Sequence, residues 1–281
     1  MRGVCCWAVV LLSGSCVAED AIGLSESLVF HASFDSSVDA DFAKGDRRMY
    51  TAESLKRAKV QPGLHSDAVQ WVAKGGRFGG ALSFRKKSPK LVFYRGARNV
   101  AYAADRFQGT IAFWMRLDPE SDLPPGYVDP LQITDKKWND ASFFVDFTKD
   151  KPRQFRLGIF SDYKFWNPDD RKWDAIPVAQ RPMVHVNKPP FSRKSWTHVA
   201  FSYSGFNRSS GAGTATLFLD GKPQGRVTGA QRYTWTPDKV VMMLGINYVG
   251  ELDDLAVFNQ PLSAEQLRQL LTLTEGVKGL R

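Results

Sequence analysis

Beyond residue 16 this chain has no cysteine; Cys5, Cys6 and Cys16 are its only three. Everything downstream therefore lacks disulfides, thiolate nucleophiles and cysteine-bound zinc. Histidine is also scarce. His31, His65, His185 and His198 are too scattered to show zinc-ligand spacing, and His198, between Trp196 and Ala200, reads as a structural residue. No apolar run approaches the roughly 20 residues needed to cross a bilayer as a helix. There is no Ser-His-Asp spacing, nucleophile elbow, internal repeat or recognisable nucleic-acid module.

What the chain does have begins with its leader. Arg2 precedes an apolar run from Val4 to Leu12, and Cys16-Val17-Ala18 places small residues before Glu19. Residues 1–18 read as a secretory signal peptide and residues 19–281 as one domain. Ser13-Gly14-Ser15-Cys16 resembles a lipoprotein box, although Ser13 stands where Leu is usual. The expected location is secreted, periplasmic or cell-surface. A chain of 281 residues can bury enough apolar surface to fold without disulfides.

The formal net charge is +9. Basic residues crowd two stretches, from Lys44 to Lys59 and from Arg85 to Arg98. Such runs usually lie on solvated edges; their functional reading is attraction to an anionic surface or polymer, such as acidic or sulfated polysaccharide.

Along the chain, short runs with period-2 alternation recur between turn signals. Candidate strands are Ser27 to Phe34, Asp67 to Ala73, Ala81 to Phe84, Leu91 to Tyr94, and Thr110 to Leu117. They continue with Leu131 to Thr134, Ser142 to Phe147, Phe155 to Phe160, and Trp196 to Tyr203. Thr214 to Leu219, Lys222 to Val227, Val240 to Ile246 and Glu251 to Phe258 complete the series. Asp220-Gly221 signals a hairpin. Asp39 to Gly63 reads as a long loop, with a short helix over Ala52 to Lys59. Ser161 to Arg193 reads as a second loop. One helix is expected from Ser263 to Leu271, because Ser263 and Gln266 match a capping box. The pattern predicts an all-β, antiparallel β-sandwich with a short C-terminal helix.

Gly76-Arg77-Phe78-Gly79-Gly80-Ala81-Leu82-Ser83-Phe84 resembles the G-x-F-G-x-A-L-x-F signature of laminin-G-like jelly-roll domains. These belong to the concanavalin A-like lectin/glucanase superfamily. Thr110 to Trp114, Trp196 to Ala200, and Leu217 to Gly221 match in order, and Gly250 to Leu255 resembles the closing strand. The resemblance implies a jelly roll whose first and last strands pair, with residues 118–193 as a loosely matched long insert.

The resemblance bears on chemistry in three ways. Glu251-Leu252-Asp253 is similar to the start of a laminarinase-type E-x-D-x-E motif. The acid/base position falls on Leu255, or on Ala256 with a bulge, and neither transfers a proton. No catalytic residues are expected. Relatives often hold a structural Ca²⁺, which the resemblance places at Asp253 with Asp35 as partner. The fold also hosts lectins, so Tyr163, Phe165, Trp166 and Trp173 are candidate ligand-binding residues, with Trp138 and Tyr233 behind them. The expected role is non-catalytic binding of glycans or glycoconjugates, anionic ones included. A cell-surface protein-interaction or structural module is the alternative, and a cryptic carbohydrate-active enzyme is the third reading. Asn207-Arg208-Ser209 is a glycosylation sequon, relevant if the host modifies exported chains.

Overall fold

A computed structural model describes residues 23–281. The expected signal peptide, the lipoprotein box and all three cysteines lie outside the described residues. Strands are numbered in chain order. One sheet holds nine: β1 (Leu28–Ala32), β2 (Phe42–Ala43), β5 (Val69–Val72), β6 (Ala81–Phe84), β8 (Phe107–Arg116), β13 (Thr197–Phe206), β14 (Gly213–Leu219), β15 (Lys222–Gly229) and β17 (Gly250–Phe258). The other holds eight: β3 (Met49–Ala52), β4 (Gln61–Pro62), β7 (Leu91–Arg95), β9 (Val128–Lys137), β10 (Asp140–Phe147), β11 (Phe155–Phe160), β12 (Met183–Val186) and β16 (Val241–Ile246). The second sheet runs in the order β12-β11-β10-β9-β16-β7-β3-β4. The sheets form the antiparallel sandwich expected from the sequence.

Alternation along each strand decides which side chains enter the core. Ile111, Phe113 and Met115 of β8 face inward and meet Phe143, Val145 and Phe147 of β10. The outward residues of β8 and its neighbours form a second apolar layer. Ala112, Ala200, Ala256 and Phe258 lie under Leu267 and Leu270 of the helix Ala264–Thr272. Small residues on the sheet let the helix approach closely. Its start carries the expected capping box, with Ser263 accepting from the Gln266 amide and Gln266 accepting from the Ser263 amide.

The first and last strands pair, His31 opposite Ala256 and Ala32 opposite Leu255. Strand β17 does not alternate evenly, as its sequence would suggest. A bulge between Asp253 and Ala256 shifts its register against β8, and Asp254 adopts φ +52°. Leu252, Leu255 and Val257 therefore all reach the inter-sheet core, while Ala256 and Phe258 face the helix.

Residues 118–193 are less of an insert than the sequence suggested. They supply β9 to β12, half of the eight-stranded sheet, and only the segment between β11 and β12 wanders. There, a helical turn at Tyr163–Trp166 and two 3-10 turns replace regular strand. The expected helix over Ala52 to Lys59 does not form. The presumed loop before it instead contains β3, whose four residues are all buried.

Candidate ligand groove and the paired carboxylates

The outer face of the eight-stranded sheet carries a groove of about 530 Å³. Its floor follows from the pleat. With Leu131, Val145 and Leu157 facing inward, Gln132, Phe144, Asp146 and Arg156 must face outward. One wall is the turn bearing Leu55 and Arg57; the other bears Trp138 and Trp173. Arg57 fixes the first wall by donating to the carbonyls of Lys239 and Asp135. Trp166 fixes the second by donating from Nε1 to the Asn139 carbonyl (2.8 Å) and packing edge-on against Phe160.

Side chains cross the sheet in rows. One row is charged. Ile246 pairs with Asp129, and Asp146 pairs with Arg156, which pairs with His185. Asp146 is buried, and both its oxygens are held by the Arg156 guanidinium, Nε at 2.8 Å. That guanidinium also stacks 5.1 Å from the Tyr127 ring centre. Burial and the neighbouring Asp146 charge push the Asp129 carboxyl well above its usual range, against the pull of Arg156. Burial likewise raises Asp146, with Arg156 opposing. The next row is apolar. Met243 pairs with Gln132, which pairs with Phe144, then Gly158 and Met183. Gly158 is required there, since a Cβ would lie 2.3 Å from Cζ of Phe144. The Trp173 ring meets Trp138 edge-on at 5.3 Å and lies under Arg181 at 4.2 Å.

Of the four aromatic residues singled out in the sequence, Trp173 lines this groove. Tyr163 and Phe165 line a separate hollow with Lys136, Asp162 and Arg232, where Phe165 is exposed. Trp166 anchors the wall. Trp138 lines the groove and is 42% exposed, whereas Tyr233 is 1% exposed and belongs to the core. Tyr127, Phe144, Asp129, Asp146 and Arg156 carried no sequence signal as a site. Their alternation marked strands, but only strand order brings them together.

The adjacent carboxylates Asp253 and Asp254 lie on the other sheet and are both buried. The bulge turns each toward a separate partner. Asp254 meets Nε2 of His31 at 2.6 Å and accepts from the Val277 amide at 3.0 Å. Asp253 accepts the Arg77 and Phe78 amides through Oδ2, at 2.6 and 3.2 Å. Its Oδ1 is buried without a hydrogen-bond partner. Burial, followed by the Asp254 charge, raises its pKa to about 7. Asp35 grips the other side of the same glycine loop, Oδ1 accepting from the Gly80 amide at 3.3 Å. Gly80 is required, because a Cβ would stand 1.9 Å from the Phe34 carbonyl oxygen. As calcium ligands these two residues fit in one respect and not in another. Asp253 Oδ1 is free to ligate, but the Lys278 ammonium lies 3.6 Å from Asp35 Oδ2. Among the described residues, no three His, Cys, Asp or Glu side chains gather as a metal site.

Glu251 is spent on Arg116, at 2.5 Å, and sits on the sheet opposite the groove. The sequon residue Asn207 is committed internally. Its amide donates to the carbonyls of Ala103 and Tyr233, and its oxygen accepts from the Tyr233 amide. His198 is buried against Trp114, ring centres 5.0 Å apart, with Nδ1 unpartnered. Burial lowers its pKa to about 4.

A family model described as the Concanavalin A-like lectin/glucanases superfamily matches residues 99–268. No curated protein matches the chain significantly. Among solved structures, domain 4 of a GH43 extracellular arabinanase from Geobacillus stearothermophilus, in complex with arabinotriose, superposes with TM-score 0.52 at 15% identity. That match covers 86% of this chain and 97% of the arabinanase domain. The receptor binding domain of a botulinum neurotoxin C/D mosaic serotype gives TM-score 0.57 at 12% identity, over 87% of this chain and 51% of the toxin domain. The binding domain of botulinum neurotoxin DC in complex with SialylT gives 0.52 at 9% identity, over 92% and 52%. The chain thus spans nearly the whole arabinanase domain and about half of either toxin domain. At these identities the likeness is one of fold.

Proposed function

Because this chain belongs to the Concanavalin A-like lectin/glucanases superfamily, we propose that it is an exported, non-catalytic module that binds glycans or glycoconjugates in the groove of its eight-stranded sheet. The observation carrying this reading is the groove itself. It is concave, about 530 Å³, walled by Trp138 and Trp173 and floored by a row of hydrogen-bonding groups. Such a site suits a sugar, which presents an apolar ring face to an aromatic and hydroxyls to polar neighbours. Two structural neighbours were solved with arabinotriose and with SialylT bound, in keeping with this reading. No helix among the described residues is long and apolar enough to cross a membrane.

The absence of catalysis in this proposal rests on Asp146. A glycosidase needs two accessible carboxyls flanking the scissile bond. Asp146 is 3% exposed, and both its oxygens are taken by Arg156, so Asp129 stands without a second catalytic acid. Preference for anionic glycans follows from the lining. Arg57, Lys136, Lys137 and Arg156 outnumber Asp129 and Asp146. The test is a glycan array with the purified protein. Trp138→Ala and Trp173→Ala should each reduce binding about tenfold or more, since loss of a stacked ring forfeits about 1.4 kcal/mol or more. Phe165→Ala should leave it unchanged, and binding should weaken as salt rises. Silence across a broad array would overturn the reading.

A structural calcium ion at Asp253 and Asp35 is a separate part of the proposal, supported by the unpartnered Oδ1 of Asp253. Millimolar calcium should then raise the melting temperature and a chelator lower it. Superimposable melts would remove the ion from the account.

A further inference from the structure

The groove is divided in a way that a bare sugar does not match. Its charged row presents Asp129 beside the mutually paired Asp146 and Arg156, with Tyr127 next to them. The neighbouring row offers Met183, Phe144 and Met243, and Leu55 overhangs it 57% exposed. Within that second zone only Gln132 and Thr134 can hydrogen-bond from the floor. Sugar hydroxyls pressed there would lose water and find few partners, which disfavours them. A hydrocarbon loses nothing by the same transfer and gains from burying its surface. At about 530 Å³ the groove falls within the range of small-molecule sites.

We propose that the groove selects a glycoside bearing an apolar aglycone, with the sugar on the Asp129–Arg156 row and the aglycone on the Met183–Met243 strip. This inference rests on the glycan-binding reading and narrows it to one ligand class. The polar and apolar halves of the groove form one continuous lining, so both halves of such a ligand are held by the same site. Leu55, the largely exposed member of this strip, is the side chain the aglycone covers most.

The test uses titration calorimetry on residues 19–281 with matched methyl and octyl glycosides of several neutral and anionic sugars, all below micelle-forming concentrations. Octyl glycosides should bind at least about tenfold more tightly, the equivalent of burying about two methylenes. Met183→Gln and Leu55→Gln should bring the ratio of octyl to methyl glycoside affinity down to about one. Both sites are partly or largely exposed, and near-ultraviolet circular dichroism checks that the variants fold. Equal affinity for methyl and octyl glycosides overturns this inference and leaves the glycan reading intact. Octanol binding as tightly as the octyl glycoside overturns both, as does the absence of any binding. A dimer that buries Leu55 and Met183 and persists with the octyl glycoside present assigns the strip to a second copy and overturns the inference.

Discussion

Asp253 and His198 flank the same residue, Trp114, and their ionisations pull stability in opposite directions. The native Asp253 carboxyl, with its pKa raised from 3.8 to about 7, keeps a proton that the unfolded chain has released. Its contribution to stability therefore falls as pH climbs from 3.8 to about 7. Native His198, lowered from 6.5 to about 4, stays neutral where the unfolded chain is protonated. Its contribution rises with pH between about 4 and 6.5. Each effect is on the order of 3–5 kcal/mol across its window, at about 1.4 kcal/mol per unit. Urea denaturation at several pH values, in chelator, should show Asp253→Asn rising more steeply with pH than the parent, and His198→Gln falling more steeply. Parallel profiles for all three proteins would mean that burial does not shift these groups. Asp254→Ala should cost about 3–5 kcal/mol, because it strands the buried His31 ring and the Val277 amide together. A loss below about 1 kcal/mol in the same denaturation assay would show that the pair is dispensable.

At the scale of elements, the glycine loop between β5 and β6 is a clamp, with Asp35 on one side and Asp253 on the other. Gly80→Ala forces a Cβ against the Phe34 carbonyl and should destabilise by more than about 2 kcal/mol. A melt matching the parent would mean that β1 and the loop separate freely. Leu267→Ala, beneath the C-terminal helix, should cost about 2–5 kcal/mol through the cavity it leaves. Elements with strong local signals were legible in the sequence. Strands β8 and β13 show clean alternation, Asp220-Gly221 forms its hairpin with both residues at positive φ, and Ser263 caps its helix. Strand β3 was not legible, because four residues among charged neighbours give too short a period and its burial comes wholly from tertiary contact. The bulge in β17 was invisible for another reason. An extra residue changes which face each side chain takes without changing composition, so even alternation would put Leu252 on the face opposite Leu255 and Val257, whereas all three reach the inter-sheet core. The groove escaped because it is assembled from five strands and a distant turn, none of them distinctive alone. Trp173 stood out as an aromatic in a long polar segment, and the structure places it along the groove.

For the molecule as a whole, cohesion comes from one inter-sheet core, a second layer under the terminal helix and a smaller cluster around Phe93 and Met243 on the eight-stranded sheet. Residues 19–281 contain no cysteine, so their unfolding midpoint should be identical with and without reductant. A shift on reduction would contradict that account. Ending the chain after Asn259 removes the cover from Ala112, Ala200, Ala256 and Phe258 and the amide that holds Asp254. That variant should bind hydrophobic dyes and sediment as aggregates; a well-behaved monomer would show the second layer to be ornamental. Strand β17, the last to be synthesised, lies inside its sheet, between β8 on one side and β1 and β6 on the other. A ribosome must therefore release the chain as far as Phe258 before the nine-stranded sheet can be completed. Until then the earlier strands flank a vacant lane, and a nascent chain stalled short of Gly250 should be cut readily by protease at sites the finished protein shields.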